Sequence, residues 1–388
     1  MKRGMKEMGL LALLHSLQHV YISALPPLYL LLRAEFNVSI FQIGLLGSVA
    51  GVISILQGPA GYLVERIGGK RLAVLSMLGC SAAIFLYSLA PAFKFLLIIV
   101  AIFSLSQVVF HPATYAMVVQ RASANNRGKY IAYHQVGGFV GSAVGTAVIA
   151  ALAATQGWRT TLQIIPIVGL SFIFLFWKFV KEGTHTTQQS TSTSTHLNPS
   201  ASEPFRFTPP LLVLILSISI LSLGNLQKFI PLFLTEAYGE TVVWAGILTG
   251  VMLAVGSAAS LLGGSMSDKY DKTLIMIGAY LGIAITTILL AVGKFASAGL
   301  LFILILYGVA RYFSVPAQHA LSSATAEGHP QGIGFSYTGT ALGQVFSAPL
   351  IGYLIDTLGA RSAFLVCSVF PFISIIILLA FRKIRSSS

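Results

Sequence analysis

Twelve long apolar runs dominate this sequence and leave it few ways to fold. They fall near residues 8–32, 39–63, 71–91, 94–119, 129–154, 159–180, 208–235, 241–266, 273–293, 296–324, 333–356 and 361–381. Each matches the ~20 residues that carry an α-helix across about 30 Å of hydrocarbon. The alternating ~10-residue strands of an outer-membrane barrel are much shorter. Composition closes the soluble alternative: of 388 residues, 55% are hydrophobic and only 9% are charged. A water-facing surface needs about 25%. Glycine is frequent but has no three-residue period, so collagen is excluded. Cys80 and Cys367 each lie inside an apolar run and offer neither a disulfide framework nor a thiolate metal site. The expectation is an all-α membrane protein with twelve transmembrane helices.

One polar stretch interrupts the pattern, from Lys181 to Phe207, and its run from Thr186 to Ser202 is rich in Ser and Thr. Such a composition makes a flexible linker. The chain therefore reads as a six-helix unit over 1–180, a linker over 181–207 and a six-helix unit over 208–388. The net charge of +13 would suggest a nucleic-acid partner in a soluble protein. Here it sorts by side instead. With the N-terminus inside, seventeen Lys and Arg fall in cytoplasmic segments and five in outer ones. That bias follows the positive-inside rule and places both termini in the cytoplasm of a cell-membrane protein. The partners expected are the lipid bilayer and a small molecule, with no nucleic acid, and the chain is read as a monomer.

The two halves repeat. Pro27 matches Pro231, Pro112 matches Pro316, and Gly128 and Tyr133 match Gly332 and Tyr337, all at an offset of 204. Gly61 and Glu65 match Gly264 and Asp268 at 203, and Gly157 and Arg159 match Gly359 and Arg361 at 202. Two parallel repeats related by a pseudo-twofold axis are a transporter signature, with the site between them near the midplane.

The stretch Gly61-Tyr62-Leu63-Val64-Glu65-Arg66-Ile67-Gly68-Gly69-Lys70-Arg71 resembles the loop signature of the major facilitator superfamily, with Glu65 in the place of the usual Asp. Gly264 to Lys272 is a weaker second copy that keeps Asp268 and Lys269. The resemblance implies two pseudo-twofold-related six-helix bundles. It makes Gly61, Glu65, Arg66, Gly68, Lys70, Arg71, Gly264, Asp268 and Lys269 gating residues. It also puts Glu65 near Gly332, and Asp268 near Gly128, when the cytoplasmic side is shut. Leu25-Pro26-Pro27-Leu28, Phe110-His111-Pro112-Ala113 and Gln135 to Gly145 resemble the fosmidomycin-resistance-type transporters of that superfamily. Efflux is what this likeness implies.

Polar groups inside a bilayer are costly, about 2.5–3.5 kcal/mol for a central Arg or Lys on insertion scales, and they face cavities or partners. Tyr307, Arg311, Ser314 and Gln318 form one stripe at helical spacing, and Ser104, Gln107, His111 and Tyr115 form another. Gln107 is the repeat partner of Arg311. Ser222, Asn225 and Lys228 share a face of the seventh run. No carboxylate lies deep in any run, so the cations Arg311 and Lys228 suit an anionic ligand. Substrate ligands are thus expected at Arg311, Lys228, Gln107, Tyr115, Asn225, Tyr307 and Gln318. The competing structural readings are a tie from Arg311 to backbone carbonyls and snorkelling of Lys228. His15, His19, His111, His134 and His319 are the candidates for proton coupling, since His titrates near neutral pH. No metal is expected: His15 and His19 share a face, but two ligands without a carboxylate are too few. Gly137, Gly138, Gly141 and Gly145 mark close helix packing. With no Gly-x4-Gly-Lys-Ser/Thr motif and no cofactor signature, a gradient must supply the energy. The reading is a secondary transporter of a small organic anion, with proton-linked efflux as one form. The alternatives are multidrug/proton efflux of neutral or cationic compounds and, remotely, a membrane-embedded enzyme.

Overall fold

The computed structural model describes residues 2–122, 127–182, 208–325 and 332–387, and the linker beyond Glu182 falls outside them. Twelve spans are numbered in chain order. In the first half, α1 runs Lys2–Ile22 and resumes over Tyr29–Phe36, and α2 runs Ile40–Ser54 and then Gln57–Ile67. Next come α3 (Gly69–Ser88), α4 (Phe93–Val108, then Phe110–Arg121), α5 (Arg127–Gln156) and α6 (Trp158–Phe179). The second half holds α7 (Pro209–Leu223, then Ile230–Tyr238), α8 (Val242–Ser267) and α9 (Lys272–Val292). It ends with α10 (Ser297–Phe313, then Val315–Thr325), α11 (Gly332–Leu358) and α12 (Ala360–Cys367, then Val369–Ser387). Eleven described segments are long and apolar enough to cross a membrane, and the divided α2 is the twelfth.

The apolar runs read as unbroken helices, yet six spans are interrupted. The repeated prolines explain four of the breaks. Proline lacks an N–H and clashes with the preceding turn, so it is favoured in a first turn, although Pro166 and Pro349 stand inside α6 and α11. Pro112 and Pro316 stand in the first turns after the breaks in α4 and α10. Pro231 does the same in α7, and Pro26 and Pro27 form the short 3-10 turn that joins the pieces of α1. The Gly61–Arg71 signature, expected as a loop, is helix almost throughout: Gly68, at φ 97°, is its one non-helical residue. Glu182 carries this turn by accepting a hydrogen bond from the Lys70 N–H at 2.8 Å.

Duplication is visible in the caps. Gly157 and Gly359 start α6 and α12 at φ 79° and 80°, a region open to glycine. Arg159 then donates to the carbonyls of Ser88 (2.6 Å) and Ala90 (3.1 Å) at the end of α3. Arg361 donates to Ala291 (3.1 Å) and Gly293 (2.7 Å) at the end of α9. A cation at a helix C-terminus satisfies carbonyls that have no intrahelical donor.

The halves meet through α2 on α11 and α5 on α8. The tightest approaches are Gly44 on the Ala348 carbonyl, Gly352 on Ile40 and Gly246 on Ala150, all on the side remote from the termini. Polar links reinforce that side. Arg33 pairs with Glu236 at 2.7 Å, and Asp356 accepts from the N–H groups of Ile40 (3.0 Å) and Phe41 (2.7 Å) at the start of α2. On the terminal side Asp268 is exposed and, among the described residues, has no hydrogen bond or ion pair. The side chain of Glu65 and the surroundings of Gly128 and Gly332 lie outside the described residues. The structure is therefore shut on the side opposite the termini. A carboxylate at a helix N-terminus is worth about 0.3–1 kcal/mol. Asp356→Ala should raise the open-to-shut ratio on that side by about two- to fivefold. Spin-label distances between Ala34 and Leu358 would show it as growth of a longer component.

Candidate functional site

Four of the five membrane histidines gather in the first half. The close seam between α1 and α5 makes this possible. Gly141 packs directly on the Ser16 backbone, and Gly138 faces the rings of His15 and His19, where a Cβ would meet His19 Nε2 at 2.9 Å. The helical spacing of His15 and His19 holds: their ring centroids are 4.6 Å apart. His111, at the restart of α4, comes within 5.3 Å of His15, and His134 of α5 stacks on His15 at 4.0 Å. Tyr115 packs against His111 and His134 at 6.3 and 5.3 Å. His319 lies in α10, in the other half. Gln107 accepts from the Gln18 amide at 3.4 Å. Gln18, buried beside this nest, was missed in the sequence, although it shares a face with His15 at i, i+3.

The second half presents the cations. Arg311 lies three residues before the break in α10 and is partly exposed, with Tyr280, Tyr307 and Tyr312 around its charge. Among the described residues, its guanidinium has no hydrogen bond or ion pair, so the tie to backbone carbonyls is not made. Lys228 sits in the 3-10 turn at the break in α7, also partly exposed and, among the described residues, without a polar partner. The face assigned to Ser222, Asn225 and Lys228 does not exist as a helical face. The first piece of α7 ends at Leu223, and Asn225 turns the chain by accepting from the Gln227 N–H at 3.3 Å. An Asn side chain competes with the helix for such backbone donors. Gln227, also missed, donates to the Tyr312 hydroxyl at 2.9 Å and ties this break to α10 beside Arg311.

Two further stripe residues differ from expectation. Tyr307, at 2% exposure, packs in the apolar core beside Arg311. Ser314 occupies the break itself, so Gln318 follows from a new segment and is buried there. Of the residues expected to gate, Gly61 and Gly264 are helical, Arg66 donates to the Tyr62 hydroxyl at 2.7 Å, and Arg71 and Lys269 are exposed. The two halves touch at the site's edge. Phe139, next to Gly138, packs on Tyr312, next to Arg311, at 6.3 Å. A broad apolar groove lined by Tyr270, Leu274, Gly282 and Phe313 lies elsewhere, wholly in the second half.

This is the arrangement of a secondary transporter: duplicated halves, interrupted helices, and polar groups at the breaks between them. The family model of the Major Facilitator Superfamily matches residues 11–332, and the chain belongs to that superfamily. It is therefore a transport protein of the membrane and not an enzyme. The fosmidomycin resistance protein of Escherichia coli (strain K12) is 23% identical over 378 residues, covering 95% of this chain and 91% of that one. A probable sulfoacetate transporter, SauU, of Cupriavidus necator is 23% identical, with 91% and 87% covered. Among solved structures, a bacterial homologue of the human lysosomal transporter Spinster, inward-facing and unoccupied, superposes with a TM-score of 0.77. It is 16% identical and covers 98% of this chain and 97% of that one.

The seam that assembles the nest is testable by itself. A methyl at Gly141 has no room against the Ser16 carbonyl, and overpacking costs about 1–3 kcal/mol. Gly141→Ala should lower the thermal midpoint of the detergent-solubilised protein by several degrees. Gly157→Ala, where a Cβ meets open space, should lower it through backbone strain alone.

Proposed function

We propose that the protein moves a small organic anion across the cell membrane by alternating access, outward from the cytoplasm, with Arg311 as its principal ligand. The observation that carries this reading is the pair of partly exposed cations, Arg311 and Lys228, with no acidic partner among the described residues. An anion would compensate both, and a guanidinium offers it a bidentate fork. Lys228 would draw the anion in, while Gln107, Tyr115, Asn225 and Gln318 would orient it. A neutral or cationic cargo would leave both charges uncompensated. The likeness to SauU, whose name gives an anion, supports the class, and the likeness to a resistance protein supports export. Residues 1–180 and 208–388 would rock as units about the site, joined by the linker 181–207. The positive-inside bias supports cytoplasmic termini, and the protein would work as a monomer. Energy would come from a gradient.

A charge-assisted hydrogen bond is worth about 1.5–3 kcal/mol. Arg311→Ala should therefore weaken anion binding by about 10- to 150-fold and abolish uptake into proteoliposomes. Arg311→Lys keeps the charge and loses the fork, so it should fall between the two while folding normally. Wild-type transport by both variants, or transport restricted to neutral and cationic compounds, would refute the reading. The orientation has its own test: a cysteine at Gly157 should be labelled from outside intact cells, and one at Ser387 only after permeabilisation.

A further inference from the structure

We propose that His15, His19 and His111 form a binding site for a divalent transition ion, Zn2+ first among them, with one coordination position left open towards the space between the halves. The ligand nitrogens of these three residues lie within 4.8 Å of one another. On these rings His15 Nε2 and His111 Nδ1 are buried without a hydrogen-bond partner, as are both ring nitrogens of His134 beside them. A buried polar atom left unpaired in a membrane interior is costly, and such atoms are rare unless something meets them. Three imidazole rings whose ligand nitrogens lie this close together offer a metal ion a donor set that this chain does not otherwise satisfy there.

The surrounding bonds prepare the rings for that task. His15 Nδ1–H donates to the His134 carbonyl at 2.7 Å, and a carbonyl can only accept, so the lone pair of His15 is on Nε2. His19 Nδ1 shares a hydrogen bond with Ser142 Oγ at 2.8 Å. With Nδ1–H as donor there, His19 Nε2 also carries a lone pair. Metal-bound histidines are held in the same way, by a carbonyl or hydroxyl on the second ring nitrogen. His134 supplies the carbonyl from α5 and stacks its ring on His15, which keeps that ring in plane. Tetrahedral Zn–N bonds of about 2.0–2.1 Å bring nitrogens to roughly 3.4 Å, so the rings close by about an ångström on binding. Imidazole donors suit Zn2+, Co2+, Ni2+ or Cu2+, whereas Mg2+ and Ca2+ demand oxygen. Three protein ligands with a fourth place open is the pattern of sites that bind a further group, not of closed structural ones. His15 is 1% exposed while His19 and His111 are partly exposed, so the open place is on their side. The weakness of two histidines without a third, which argued against a metal in the sequence, is removed by His111, which arrives from α4.

The test is Zn2+ binding to the purified full-length protein, prepared without a polyhistidine tag, followed by calorimetry and metal analysis after dialysis. One ion per chain is expected, and Co2+ in its place should give the intense visible bands of four-coordination. His19→Gln and His111→Gln should each weaken Zn2+ by about 100-fold or more. Ser142→Ala, which keeps every histidine, should weaken it by about 10- to 100-fold through loss of ring orientation. Gly138→Ala should also weaken it, by crowding His19 Nε2. Replacing the linker residues, His185→Gln with His196→Gln, should leave the stoichiometry at one. Absence of tight Zn2+ and Co2+ binding by the wild type overturns the proposal, as does binding that survives in His19→Gln and His111→Gln. A nest that only relays protons would give that first result together with altered transport pH profiles in the same variants. Because binding is read without any substrate, these outcomes are independent of the anion reading.

Discussion

A bilayer offers the peptide backbone no water, so every interruption of a span has to be repaired by the protein itself. That requirement organises this molecule. Prolines repeated between the halves open α1, α4, α7 and α10 at corresponding depths. The released groups are met locally, as where Asn225 accepts from Gln227, and the ends of whole spans are capped from other helices, as where Arg159 and Arg361 serve α3 and α9. Irregular backbone in a membrane survives only where protein or a cavity covers it. The polar side chains sit at these same places. Gln107 and His111 flank the break in α4, Asn225, Gln227 and Lys228 form the one in α7, and Arg311 precedes that in α10. Breaks and chemistry coincide because each needs the interface between the halves.

The second constraint is close approach. With lipid as apolar as leucine, helices associate through backbone contact, which small residues permit. The seam of α5 on α1 uses Gly137 and Gly141, and α11 on α7 uses Gly339 and Gly343 at an offset of 202. The same device appears between halves at Gly44 and Gly352. There it meets two polar links, Arg33 to Glu236 and Asp356 to the start of α2. The halves thus meet along two close helix seams, α2 on α11 and α5 on α8, with these polar links added on the shut side.

Much of this was legible in the chain. Span number followed from run length, because hydrocarbon thickness fixes helix length. The repeat was legible from prolines and glycines, and Arg159 and Arg361, matched only by offset, prove to do the same work in space. What escaped was whatever apolar length conceals. A run such as 208–235 keeps its hydropathy through Gly224 and Asn225, so nothing in its average betrays the break that removes Asn225 from a helical face. Tyr307 has the spacing of Arg311, but spacing fixes a direction around a helix and not whether a neighbour covers it. Gln18 and Gln227 were passed over because neutral amides beside charged or titratable residues give a weak signal. Most of all, His111 and His134 stand about 100 residues from His15, and only folding brings the three together.

The same duplication also shows how the halves have diverged. At the offset of 204, His15, His19 and His111 correspond to Ser219, Leu223 and Val315, while Arg311 and Lys228 correspond to Gln107 and Ala24. The first half has thus gathered neutral nitrogen donors, and the second has gathered fixed positive charge. Between described breaks there is no carboxylate to join them, so neither set is neutralised by the other. A ligand held from one side by cations and from the other by neutral donors contacts both halves only while they are close on the ligand. Its binding energy therefore differs between arrangements of the halves, and only such a difference lets a cargo shift their equilibrium. Two identical halves would bind a symmetric ligand equally from each side. The asymmetry instead gives the molecule a polarity across its pseudo-twofold axis, so that the anion proposed above would reach the cations of α7 and α10 while its other end faced α1 and α4.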